Sequence, residues 1–339
     1  MTVTLEGASV RCPGGGCSVT SRPARDLIAV AALFAVGALV AVQARTNGDL
    51  AVRLGGGLSG GAQAALVNFG VGLLVVSIWI AARPAQRQRV GVLRRVLADG
   101  TLRAWQCLAG LGGALLILSQ AASVPTLGVA VFTVAVVAGQ TGGSLGIDQL
   151  GLGPAGPAPV TSRRAFAAGL TLAAVALSVL GRSGPNALSP LLLLCIAGGV
   201  AVAVQSTYNG RNGKAVGSTV VATWLNFVAG GLGLLVVVLV LMAAGHPMHA
   251  LPGTWWLYAG GPMGVAFVSV VAASIRVVSV LLVSLATVAG QVLGALLLDA
   301  FAPVAGQGLH LITVLGTALP IVAVVIAASE PRNGRASDR

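Results

Sequence analysis

VAGQTGGSLGID at residues 137–148 returns as VAGQVLGALLLD at residues 288–299, with the Val-Ala-Gly-Gln opening, the Gly three positions on and the closing Asp unchanged. The two copies are 151 residues apart (288 minus 137). Working outward, AVQARTNG at 41–48 is answered by AVQSTYNG at 203–210, and LVNF at 66–69 by WLNF at 224–227. Trp105, Gly110 and Gly113 find Trp256, Gly261 and Gly264 at the same offset of 151. Order, spacing and residue type agree over nearly the whole chain, so the sequence is a duplicated unit.

The medium of each unit follows from composition. Of 339 residues 56% are hydrophobic and 8% charged, with a mean hydropathy of +0.94, whereas soluble domains carry about 25% charged residues. Apolar runs of 18 or more residues recur from Leu27 onward, the length that spans about 30 Å of hydrocarbon as a helix. They are continuous rather than alternating, which excludes a transmembrane barrel. Ten spans are expected, at 27–45, 58–82, 104–122, 125–147, 165–182, 188–207, 218–244, 255–274, 277–298 and 310–329. The first follows Arg22 and Arg25 and ends in a small-residue AVQA, like a cleavable signal; its counterpart lies mid-chain, so it is read as a span.

The net charge of +12 is explained by where the basic residues fall. Sorting all twenty across ten spans puts seventeen on the side of the N-terminus, six of them between Arg83 and Arg103, and three (Arg45, Arg53, Arg182) on the other. Basic residues favour the cytoplasmic side of short loops, so both termini are expected in the cytoplasm. The charge then marks topology and contact with anionic lipid headgroups rather than nucleic-acid binding. Each half has five spans, an odd number, so the second half enters from the opposite face. The expected fold is all-α and integral to the membrane, ten helices as two inverted five-helix repeats: 27–182 and 188–329, flanked by disordered tails at 1–26 and 330–339. Inverted repeats are the architecture of many secondary transporters, whose site lies near the midplane between the halves.

Gln-x3-Asn closing the first span of each half, Asn-Phe in the second, and Gly-Gln with a following Asp in the fourth resemble the YdcZ group (DUF606) of the drug/metabolite transporter superfamily. The chain resembles two five-span units of that group fused, over about residues 27–329. The resemblance implies a ten-helix transporter of the bacterial inner membrane. One departure is that ASVPTLG (122–128) keeps the expected Pro-x-x-Gly turn, while ASIRVVS (273–279) has Arg276 in place of the Pro.

Polar side chains in hydrocarbon are costly and usually face the bundle interior. Asn68 and Asn226, nearest the middle of their spans, are the first candidates to line a central cavity, with Gln140, Gln291 and Trp224 as further candidates for substrate contact. Gln43 and Asn47, and their counterparts Gln205 and Asn209, are four residues apart and share a helix face; they are read as helix-end groups, with Asp148 and Asp299. Interhelical hydrogen bonding is the competing role for all these amides, and Gly139-x3-Gly143 and Gly290-x3-Gly294 favour it for the two Gln. No Asp or Glu falls near mid-span, which counts against a proton-driven exporter of cations. Arg276 reads as a snorkelling turn residue. CPGGGC at 12–17 and the His246/His249 loop supply too few ligands for a metal. Walker, HExxH and Ser/His/Asp signatures are missing. The expectation is a cofactor-free carrier, not an enzyme, moving a small metabolite by alternating access, with the bilayer and that solute as its partners. The alternatives are an exporter of hydrophobic cations and a membrane partner subunit that does not transport.

Overall fold

Helices account for the chain because Leu, Ala, Val and Gly runs placed in hydrocarbon must satisfy every backbone N–H and C=O internally. The computed structural model describes residues 22–152, 161–180, 190–274, 280–303 and 311–328. Among these the elements are α1 (Arg22–Arg53), α2 (Gly57–Ala82), α3 (Pro84–Ala98), α4 (Gly110–Gln149), α5 (Ser162–Leu180), α6 (Pro190–Val216), α7 (Thr219–Ala243), α8 (Gly260–Ser274), α9 (Val280–Phe301) and α10 (Leu311–Ala328), with 3-10 turns at Ala104–Ala109 and Trp255–Tyr258. Both tails beyond these limits, the CPGGGC stretch and Arg276 lie outside the described residues.

Among the described residues five stretches are long and apolar enough to cross a membrane, and three shorter apolar helices accompany them. One of the five, Ala104–Ile147, has 44 residues, about twice the ~20 a crossing needs. It is broken at Gly128, where φ 77 and ψ 166 leave the helical region, a conformation open to glycine but not to a side chain. The sequence placed this break in the turn 122–128, whose Pro-x-x-Gly pattern ends at Gly128; Pro125 sits inside the first limb, three residues before the break. Gly113 and Gln140 line one small cavity, although a straight helix would hold them about 40 Å apart. The chain therefore folds back at Gly128.

The second limb of α4 is the centre of the molecule. Val129, Ala130, Val134 and Ala135 are fully buried, and Val129, Val134 and Ala135 cluster with α1 (Ala41, Ala44), α6 (Leu192, Cys195) and α9 (Ala295). By contrast α7 buries Asn226, Gly230, Leu234 and Val238 at four-residue spacing and leaves Leu232, Val236, Leu239 and Val240 exposed. An apolar stripe with no protein against it is the face a bilayer covers.

The halves meet through contacts that occur twice with partners exchanged. A Cβ on Gly37 would strike the Thr287 carbonyl and crowd Gly290; on Gly199, the counterpart of Gly37, it would strike the Val136 carbonyl and crowd Gly139, the counterpart of Gly290. Gly72 receives the Phe227 ring and Gly230 the Phe69 ring. Gly110 abuts the Asn226 backbone as Gly261 abuts that of Asn68. Such reciprocity is the mark of a two-fold relation between like surfaces.

Two expectations are corrected. The first span runs well past 45, ending at Arg53, and α6 runs past 207 to Val216, so Gln43, Asn47, Gln205 and Asn209 sit inside helices rather than at their ends. The Arg-rich loop contains a helix of its own, α3, whose Val90, Leu93 and Leu97 pack on Val216, Val221 and Trp224. Ser218 donates to Gln86 across this contact at 2.6 Å.

Candidate functional site

A cavity of about 220 Å3 lies where α1, α2, both limbs of α4, α6, α7, α8 and α9 converge. Gln43, Asn68, Gln140, Gln205, Asn209, Asn226 and Gln291 all line it. Asn47 stands directly behind, fully buried. The structure thus brings together nearly all the amides that the duplication singled out.

In the first half these amides are linked. Asn68 Nδ2 donates to Asn47 Oδ1 at 2.6 Å, and Asn47 Nδ2 donates to Gln120 Oε1 at 2.7 Å. Asn68 Nδ2 also reaches the Ala64 carbonyl at 3.3 Å, which fixes the amide's orientation and the direction of the chain. Gln43 Nε2 donates to the Gly260 carbonyl at 2.7 Å, tying α1 to α8. Gly260 has no side chain to spare here: a Cβ would lie 2.5 Å from Asn47 Oδ1 and 2.8 Å from Asn68 Oδ1. Asn68 Oδ1 and Gln120 Nε2, at the two ends of the chain, are buried and have no hydrogen-bond partner.

In the second half the counterparts stand apart. No hydrogen bond joins the side chains of Gln205, Asn209 or Asn226 to any described residue, and Asn209 Oδ1 is buried and unpaired. Burial follows the same division. Gln43 is 8%, Ala44 1% and Asn47 0% exposed, while Gln205 and Asn209 are half-buried and Ser206, in the place of Ala44, is exposed and lines the cavity. The cavity wall is thus buried at the Asn47 end and partly exposed at the Asn209 end, which is the side of the α6–α7 turn and of α3.

Gln120 has no partner in the duplication, since residue 151 positions on is Val271; a reading led by the repeat passes over it. The available signal was a Gln inside an apolar run. Phe69, Phe132, Phe227 and Phe267, four of the chain's seven phenylalanines, also line the cavity, and the Phe69 and Phe227 rings pack tilted at 5.2 Å. Among the described lining residues there is no Asp, Glu, His, Lys or Arg. A second recess of about 290 Å3 adjoins the cavity, sharing Thr223 and Val268 with it.

Two candidates take other roles. Trp224 faces away from the cavity, its Nε1 donating to Ser77 Oγ at 3.1 Å in the cluster beneath α3. Asp299 accepts from the Val129 and Ala130 amides at 3.1 and 2.7 Å. It caps the N-terminus of the second limb of α4 just after the Gly128 break, where the helix dipole favours a carboxylate. The side chain of Asp148 lies outside the described residues. Among the described residues no group of His, Cys, Asp or Glu could hold a metal ion.

No curated protein and no solved structure matches the chain. The model of one protein family matches it twice, over residues 28–177 and 190–326, and that family is described as "Putative inner membrane exporter, YdcZ". These two matches cover both halves of the duplication, and the chain belongs to the YdcZ family of membrane transporters, as two family units in a single polypeptide.

Proposed function

We propose that the chain is a secondary carrier in which two inverted five-helix halves alternate in exposing the amide-lined cavity to either face of the inner membrane. The observation that carries this reading is the unequal state of equivalent residues: Asn47 and Asn68 are hydrogen-bonded to each other and buried, whereas Asn209 is half-buried and neither it nor Asn226 makes a side-chain hydrogen bond to a described residue. Closing the second pair while opening the first would give the mirror-related conformation, with the cavity facing the other way. The reciprocal glycine contacts give each half a like surface against the other, as a mirror-related exchange requires.

The exposed end lies on the side of α3, which carries Arg87, Arg89, Arg94 and Arg95, so the positive-inside tendency makes it the cytoplasmic end. Loading from the cytoplasm agrees with a family described by export. The uncharged lining disfavours the cation exporter, which would need a carboxylate in reach of its substrate. A cavity lined by amides disfavours a partner subunit that does not transport, for which a packed interior would serve.

The test is untargeted. Proteoliposomes are loaded with a mixture of small polar metabolites, filtered, and the retained solutes quantified against protein-free vesicles and vesicles carrying Asn68→Ala. Loss of one class of solute through the unaltered protein, abolished in the variant, supports the carrier. Equal retention of every solute in all three contradicts it.

A further inference from the structure

The arginines between α2 and α4 are set in a fixed array by the helix that most of them lie on. Gln86, Val90, Leu93 and Leu97 recur at three- and four-residue spacing along α3, which places them on one helix face. That face is taken up inside the protein: Val90, Leu93 and Leu97 join the cluster of Val216, Val221 and Trp224, and Gln86 accepts from Ser218. Arg89 lies over the α6–α7 turn, where a Cβ on Gly217 would meet its guanidinium at 2.7 Å. It stands just past the C-terminus of α6, where the helix dipole favours a cation.

Outside that face the charges are unanswered. Arg83, Arg87, Arg94, Arg95 and Arg103 are exposed, and among the described residues none of them pairs with a carboxylate. Asp99 is the one acidic residue between positions 50 and 147, and it accepts from the Thr101 amide at 3.0 Å. The array also has apolar, uncovered flanks. Leu74 and Ile78, one turn apart on α2 and each 59% exposed, lead into Arg83; Trp105 and Leu108, just after Arg103, are 49% and 54% exposed. Such stripes face hydrocarbon, and Trp favours the headgroup boundary. Since α2 ends at Ala82 and the first limb of α4 begins at Gly110, α3 joins two spans at one surface and lies at headgroup level.

We infer that the outer face of α3 is a binding surface for acidic phospholipid headgroups, held by Arg83, Arg87, Arg94, Arg95 and Arg103. A guanidinium can give a phosphate two parallel hydrogen bonds, and a basic cluster beside a membrane helix on the cytoplasmic side draws acidic lipid. The lipid-facing stripes on both flanks favour this over a soluble polyanion such as RNA, which would have to displace headgroups already in reach. A general attraction of net charge would spread over all the basic residues; here the lipid is assigned to one helix. The surface stands apart from the cavity and does not depend on the carrier reading.

The test is equilibrium binding of a fluorescent phosphatidylglycerol to the purified full chain in neutral detergent, competed with unlabelled phosphatidylglycerol, phosphatidylcholine, inorganic phosphate or a short RNA. Phosphatidylglycerol is expected to compete at least about tenfold better than phosphatidylcholine, as one or two arginine contacts at roughly fivefold each would give. Raising salt from about 0.1 to about 1 M should weaken it, because the screening length falls from about 10 to about 3 Å. Arg87→Gln, Arg94→Gln and Arg95→Gln together should weaken binding at least about tenfold, while Arg87→Lys, Arg94→Lys and Arg95→Lys, which keep the charge, should stay within about threefold. These three side chains lie off the docking face, so the Gln variant should melt as the unaltered protein does without lipid; acidic lipid should then raise the melting temperature of the unaltered protein alone. Removing as many charges by Arg332→Gln, Arg335→Gln and Arg339→Gln should leave binding unchanged. Equal loss in the two Gln variants assigns the lipid to net charge and overturns the inference, as does phosphatidylcholine competing as well as phosphatidylglycerol. Phosphate or RNA competing as well as the acidic lipid would give the surface to a soluble polyanion and overturns it too.

Discussion

Asn68 donates to Asn47 across 2.6 Å, and the residues in the same places of the second half, Asn226 and Asn209, make no such bond. One sequence pattern written twice is thus found in two states within one molecule. Since Asn47 also donates to Gln120, Asn47→Ala leaves Gln120 Oε1 buried without a partner and Asn68 Nδ2 with only the Ala64 carbonyl, at about 1–3 kcal/mol for the group left unpaired. Asn209→Ala removes a side chain that has no bond to lose and should change stability by under about 0.5 kcal/mol. Melting temperatures of the two variants in the same detergent should differ by several degrees, with Asn47→Ala lower.

Gly290→Leu should be among the most damaging changes in the membrane region, because a side chain there strikes the Phe34 carbonyl and the Ala38 backbone. Overpacking of that kind costs about 1–3 kcal/mol or more. Gly142→Ala, three residues after Gly139 and with open space around it, should be neutral or stabilising by up to about 1 kcal/mol through helix propensity. Yield of monodisperse protein and melting temperature will separate them.

The helical membrane class and the two-unit layout were legible because hydropathy and duplication are written in residue types. The amides of the cavity were legible for the same reason, as polar groups repeated in hydrocarbon. Gln120 was not, because Val271 stands in its place in the other half. Trp224 was misassigned because it lies two residues from Asn226, and two residues along a helix point to different faces; its ring turns to Ser77. The helix ends were missed near Asn47 and Asn209 because α1 and α6 continue through polar residues that interior contacts, not hydropathy, keep helical.

Asp299→Ala should loosen the fold at the Gly128 break, where the carboxylate caps two backbone amides. Loss of such a helix-terminal charge costs about 0.3–2 kcal/mol. Asp299→Asn should recover part of it, by keeping one acceptor without the charge. Hydrogen exchange at residues 129–132 should rise in the order unaltered, Asn, Ala.

Solute binding should be flat between pH 5 and 8, since no titratable side chain is found among the described residues lining the cavity. A carboxylate or His in the site would instead give a step near its own pKa. Titration calorimetry across that range, once a ligand is in hand, will show either a level line or a step.

Ala44 and Ser206 occupy the same place in the two halves, one buried and one exposed, and they test alternating access most directly. In protein with its native cysteines replaced, Ala44→Cys and Ser206→Cys are each exposed to a membrane-impermeant maleimide from either side of oriented vesicles. The account expects Ser206→Cys to react quickly and only from the cytoplasmic face, and Ala44→Cys to react slowly and only from the opposite face. Labelling of both from one face would contradict it.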